Sequence, residues 1–199
     1  MLKRVMRTIR RLRGASGSSF VSFMPYLQKV CEHFGPKRVL EFGPGKSTRI
    51  FLAHSEATIV SIENSREWYD KYKAEFTDQR VRLIHKPPGW DLEELREIGG
   101  QFDCILVDGG DRTAELKFCV PFLADEGIVY LHDAHREEYE PGIRSYPHIF
   151  FPERHSCVMC KSPAVLAELK KVLVPDYTCR CKYCNTEVRN RYLAAFLSQ

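Results

Sequence analysis

Long apolar runs are missing from this chain. None approaches the ~20 residues needed to cross a bilayer, and no apolar stretch near the start resembles the core of a secretory signal, so a soluble, cytoplasmic protein is expected. A strong charge of either sign is also missing. The 30 Lys and Arg against 26 Asp and Glu leave a net charge of +4, too small for a surface that wraps nucleic acid. Internal repeats and low-complexity tracts are absent as well. What remains is 199 residues, 44% hydrophobic, an ordinary composition for one globular core.

Cysteine is the exception to this ordinariness, with eight in the chain. Cys31, Cys104 and Cys119 sit among apolar residues, where a free thiol acts as a small hydrophobe. In a reducing compartment disulfides are unlikely to persist, and the clustered remainder points to metal. Cys157-Val158-Met159-Cys160 and Cys181-Lys182-Tyr183-Cys184 form two C-x2-C pairs separated by 20 residues, with Cys179 and His155 as spare ligands. Cys157, Cys160, Cys181 and Cys184 together suit a structural Zn²⁺ site, which would stabilise the chain and do no chemistry. The competing reading places Cys157 and Cys160 in a strand, which would turn their side chains to opposite faces.

The chain divides by pattern into three parts. Residues 1–19 hold a basic amphipathic arm, with six Lys or Arg in the first 13 residues, followed by the linker Gly14–Ser19. Such an arm can touch an anionic membrane surface or a protein partner. Residues 20–162 open with a helix over Phe20–Phe34. Strand and helix patterns then alternate: Arg38–Phe42 and Ser47–His54, Thr58–Glu63 and Arg66–Phe76, Val81–His85 and Asp91–Ile98, Phe102–Asp108 and Arg112–Leu123, then Ile128–His132. This predicts an α/β fold with a parallel sheet and helices on both faces. His148–Phe151 and Ser156–Lys161 read as a final strand pair, and residues 163–199 as C-terminal helices carrying the cysteine cluster and packed on the same domain.

The first strand runs into Glu41-Phe42-Gly43-Pro44-Gly45-Lys46-Ser47 and a helix. Glycines there permit a sharp turn and close approach of a ligand to backbone N–H groups. Glu63, twenty positions after Gly43, ends the second strand next to Asn64, where a carboxylate can accept from both ribose hydroxyls. The third glycine of the dinucleotide fingerprint is lacking, which weakens a nicotinamide-enzyme reading without removing it. The fourth and fifth strands end in Asp108 and in His132-Asp133-Ala134-His135, so these side chains should meet at the carboxyl edge of the sheet, where open α/β folds bind ligands.

The Glu41–Ser47 segment, together with Glu63, resembles the first motif and ribose-binding acid of class I S-adenosylmethionine-dependent methyltransferases. The likeness covers roughly Phe20 to Lys161. It implies a Rossmann-like, mostly parallel seven-stranded sheet with its last strand antiparallel, and S-adenosylmethionine as cofactor. It further implies that Glu41, Gly43, Gly45, Ser47, Glu63, Asn64 and Asp108 hold the cofactor, with the stretch Pro87–Asp91 beside the adenine. The fourth-strand end lacks the Asn/Asp-Pro-Pro-aromatic motif of enzymes that methylate amino groups of nucleic acids. Asp108 and Asp133 resemble the Mg²⁺ ligands of catechol-type O-methyltransferases, although Ala134 stands where those enzymes usually offer a further Asp or Asn.

These residues lead to a methyltransferase that O-methylates a small molecule or sugar, with Asp108, His132 and His135 as catalytic candidates. Histidine, whose ordinary pKa is near neutral, suits removal of a hydroxyl proton. A non-catalytic module that binds cofactor or partner remains the alternative of a different class.

Overall fold

The computed structural model describes residues 23–177 and Ala194. The basic arm and its linker, Cys179, Cys181 and Cys184 lie outside the described residues. Among them, no helix is long and apolar enough to cross a membrane.

The first helix, α1 (Met24–Phe34), places Pro25 in its first turn and buries Leu27, Val30 and Cys31, which recur at helical spacing. Gly35 ends it in the left-handed region at φ 53°, with its N–H bonded to Cys31 O at 3.0 Å. There follow β1 (Arg38–Phe42), α2 (Lys46–His54), β2 (Thr58–Glu63), α3 (Arg66–Glu75), β3 (Val81–His85), a 3₁₀ segment (Leu92–Ile98), β4 (Phe102–Val107), α4 (Arg112–Cys119) and β5 (Leu123–His132). The chain continues through α5 (Glu140–Ile143), β6 (His148–Glu153), β7 (Ser156–Cys160) and α6 (Pro163–Val172).

The seven strands lie in the order β3-β2-β1-β4-β5-β7-β6. β1 to β5 pair in parallel, and β7 inserts antiparallel to both β5 and β6. The expected Rossmann-like sheet with an antiparallel last strand is therefore present. Alternating side chains feed two cores. Leu40, Phe42, Ile105, Val107, Val129 and Leu131 pack with Leu116 and Cys119 of α4 and with Ile143 of α5. Val39, Ile59, Cys104, Leu106 and Ile128 pack on the other face with Leu27, Phe51 and Leu169 from α1, α2 and α6. Helices thus cover both faces, which explains why the central strands read as nearly continuous apolar runs. Removing one fully buried leucine such as Leu27 or Leu106 would cost about 2–5 kcal/mol.

Strand geometry decides between the two readings of Cys157 and Cys160. Both belong to β7, an odd number of residues apart, with Cys157 in the α4 core and Cys160 in the α1 core. They cannot close on one ion as a C-x2-C turn, so the four-cysteine zinc site is corrected on this point. Burial also pushes both thiols up, that of Cys160 to about 11, against the thiolate a metal needs.

Candidate active site

The parallel strands β1, β2 and β4 end together at one edge. Asp108 N donates to Phe42 O and Gly43 N donates to Ile62 O, each at 3.0 Å, so the first residues past β1 and β4 continue the ladders. Gly43 stands at φ 85°, and a Cβ there would meet Asp108 C at 3.1 Å and Gly109 N at 3.2 Å. Only glycine allows this backbone-to-backbone approach at a left-handed turn. Gly45 then caps α2, and its N–H donates to Thr48 Oγ1 at 2.9 Å.

Beneath the turn lies Glu41, fully buried. Ser47 Oγ donates to its Oε1 at 2.5 Å, while Thr48 Oγ1 and Ser61 Oγ donate to its Oε2 at 2.7 and 2.6 Å. The carboxyl thereby ties β1, β2 and the start of α2 together. Burial pushes it up to about 7, against the pull of the three hydroxyls. The side chains of Glu41 and Ser47 are engaged with each other, bracing the turn from behind.

In front of the turn opens a cleft of about 780 Å³. Gly43, Asp108, Gly109, Glu63 and Asn64 line it, and Trp68, Tyr72 and Trp90 supply aromatic surface. One oxygen of Glu63 accepts from Ser65 N at 2.7 Å, which orients the carboxylate at the end of β2. Pro88, Gly89 and Trp90 of the stretch after β3 also line the cleft. Glu115, which the sequence did not single out, lines it from α4. Burial pushes the Glu115 carboxyl up to about 8, and its Oε2 is buried without a hydrogen-bond partner among the described residues. Gly110 lies over it at φ 67°, where a side chain would overlap Glu115 Oε1.

Asp108 joins this cleft to a charged cluster. His132 Nδ1 lies 2.8 Å from Asp108 Oδ1, and its Nε2 lies 3.7 Å from Asp133 Oδ1. The His132 ring is buried, with Phe23 packed against it at a centroid distance of 4.3 Å. Arg112, also missed in the sequence, donates to the backbone oxygens of His132 at 2.5 Å and Asp108 at 3.0 Å. Its guanidinium stands 3.2 Å from the Asp108 carboxylate and 3.6 Å from that of Asp133. A cation therefore already bridges the two acids that the sequence offered as Mg²⁺ ligands, and this pair does not fit that ion. Asp133 itself is left-handed at φ 56°. Burial works against its charge, yet the charges of His132, Arg112, His135 and Arg136 hold its carboxyl below the usual range.

His135 is brought close to this cluster but faces a different partner, His155 of the β6–β7 turn, with Nδ1 atoms 3.0 Å apart. The sequence had placed His155 with the cysteines. Its ring instead packs edge-on against His135, and both are buried.

Residues 40–134 match the family model described as a methyltransferase domain. No curated protein matches the sequence. Among solved structures, the chain is similar in fold to an O-methyltransferase from Bacillus cereus in complex with S-adenosylhomocysteine, at 16% identity and TM-score 0.57, over 79% of this chain and 88% of that one. A methyltransferase from Geobacter sulfurreducens aligns with 16% identity and TM-score 0.55 over 80% and 88% of the two chains. Spermidine synthase from Thermotoga maritima gives 16% and 0.55 over 89% and 74%. At such identities the structural likenesses carry the fold alone, which enzymes of different names share. The family match is the more specific finding, because it spans β1 to the end of β5, the segment that builds the cleft. Residues 40–134 thus match a methyltransferase domain, and the fold is the one shared by class I S-adenosylmethionine-dependent methyltransferases.

Proposed function

We propose that the protein transfers a methyl group to a hydroxyl oxygen of a small molecule or sugar, with Asp108 and His132 at the acceptor. The observation that carries this reading is that Asp108 lines the cleft while its carboxylate lies 2.8 Å from His132 Nδ1. The cleft fits the cofactor. Gly43 lets the turn after β1 lie against the Asp108–Gly109 backbone at the cleft, Glu63 and Asn64 present polar groups suited to ribose hydroxyls, and Pro88–Trp90 with Trp68 offer flat apolar surface for a base.

S-adenosylmethionine supplies a methyl group on a positively charged sulfur, which is attacked in line by a nucleophile. The chain's own part is to position the acceptor and receive its proton. Asp108 accepts a hydrogen bond from the acceptor hydroxyl and orients its oxygen. As the oxygen–methyl bond forms and the sulfur–methyl bond breaks, the Asp108–His132 pair takes up the proton. The carboxylates of Asp108 and Asp133 flank the His132 ring at 2.8 and 3.7 Å. Arg112 holds both acids in place.

The test is methyl transfer from labelled S-adenosylmethionine to matched panels of hydroxyl, amine and thiol acceptors. Hydroxyl compounds should be methylated, with turnover reduced about 10²-fold or more in Asp108→Asn and His132→Asn while cofactor affinity stays within a few-fold. Selective methylation of amines, or full turnover in both variants, would refute the proposal.

A further inference from the structure

We propose that Asp133, His135 and His155 form a binding site for a divalent transition-metal ion, separate from the cysteine cluster and sharing only Asp133 with the Asp108–Asp133 pair. Each of the three residues offers a ligand atom, and these atoms all lie within 4.8 Å of one another. Three features of the fold bring them together. Asp133 leaves β5 in a left-handed conformation, and Ala134 N donates to His155 O at 2.9 Å, which ties the end of β5 to the β6–β7 turn. Glu153, buried behind this turn, accepts from His155 N at 3.0 Å and from Ser156 Oγ at 2.5 Å, fixing the backbone from which His155 projects.

The spacing suits an ion. Metal–nitrogen bonds of about 2.0–2.1 Å place two imidazole nitrogens on one ion roughly 2.9–3.4 Å apart, for right-angle or tetrahedral arrangements. His135 and His155 hold their Nδ1 atoms at 3.0 Å, within that range, and an ion would displace the proton the two rings share. The third ligand, the Asp133 carboxylate, already stands 3.5 to 3.7 Å from Arg136, Arg112 and His132, and an ion would have to share it with them. Those two arginines oppose a cation, and the Asp133 carboxylate offsets them in part.

Ligand chemistry sets the class of ion. Two imidazoles and one carboxylate favour Zn²⁺, Co²⁺ or Fe²⁺, whereas Mg²⁺ prefers oxygen. Three protein ligands leave coordination positions for water or another oxygen donor. Asp133 also faces His132, which pairs with Asp108 in the cleft wall, so the ion would lie beside the active site.

The full chain, stripped with chelator, is titrated with Co²⁺ and followed by calorimetry and visible absorption. One ion should bind per chain at micromolar concentration, with ligand-field bands and without a sulfur-to-metal charge-transfer band. Asp133→Asn, which tolerates the left-handed backbone, and His135→Asn should each weaken binding at least tenfold. The double variant Cys181→Ser/Cys184→Ser should bind as the parent does. His155→Asn should weaken binding as His135→Asn does; S-adenosylhomocysteine affinity and thermal midpoint certify folding, and His135→Asn decides the matter if His155→Asn fails to fold. Absence of Co²⁺ binding at millimolar concentration would overturn the proposal. Sulfur bands that survive in the histidine variants and vanish in the cysteine variant would overturn it as well.

Discussion

Glu41 offers a test of how the glycine turn is held. Its carboxyl is raised from 4.5 to about 7, with burial as the largest cause. At about 1.4 kcal/mol per tenfold, such a rise corresponds to about 3 kcal/mol between protonated and ionised forms. The folded protein binds the proton more tightly than the unfolded chain. This stabilisation is therefore complete below the unfolded value near 4.5 and is lost as pH rises through about 7. Glu41→Gln keeps a neutral side chain of the same shape at every pH. Between pH 5 and 7.5 the parent should lose about 2 kcal/mol that the variant does not, worth roughly 4–8 °C in thermal midpoint for a domain of this size. Thermal denaturation of both proteins across that range measures the difference directly. Parallel profiles would show that the hydroxyls of Ser47, Thr48 and Ser61 keep Glu41 ionised throughout, and the reasoning from burial would fail.

Two further substitutions probe the site. Gly43→Ala forces a Cβ to 3.1 Å from the Asp108 backbone at a left-handed φ, and should destabilise by about 1–3 kcal/mol while reducing S-adenosylhomocysteine affinity at least tenfold. Unchanged affinity by calorimetry would show that the turn does not meet the cofactor. Arg112→Met leaves two largely buried carboxylates without their shared cation and should cost about 3–5 kcal/mol in urea unfolding; a loss under about 1 kcal/mol would make Arg112 no more than a surface ion pair.

Much of the fold was legible because the central parallel strands are buried on both faces. Arg38–Phe42, Thr58–Glu63 and Val81–His85 have the bounds expected from apolar runs ended by turn residues. β5 begins five residues earlier than its apolar run, at Leu123, because Leu123 pairs with Phe102 across an irregularity in the ladder. Ala124-Asp125-Glu126-Gly127 reads locally as a turn, and only the partner strand makes it extended. The glycine turn and the acids at the strand ends were visible for the same reason: topology fixes where a parallel strand delivers its next residue. What pairs with those residues was not visible. Arg112 at the start of a helix looks like a solvated charge until β5 brings the His132 and Asp133 groups to it. His155 seemed part of a cysteine cluster, since nothing local shows that the β6–β7 turn folds back onto His135.

The account rests on cofactor binding at the cleft, which calorimetric titration with S-adenosylhomocysteine tests most directly, with Glu63→Ala and NAD as controls. One equivalent should bind with micromolar affinity, Glu63→Ala should lose at least tenfold at an unchanged thermal midpoint, and NAD should give no heat. Absence of S-adenosylhomocysteine binding to the folded protein, or tighter binding of NAD, would contradict the account.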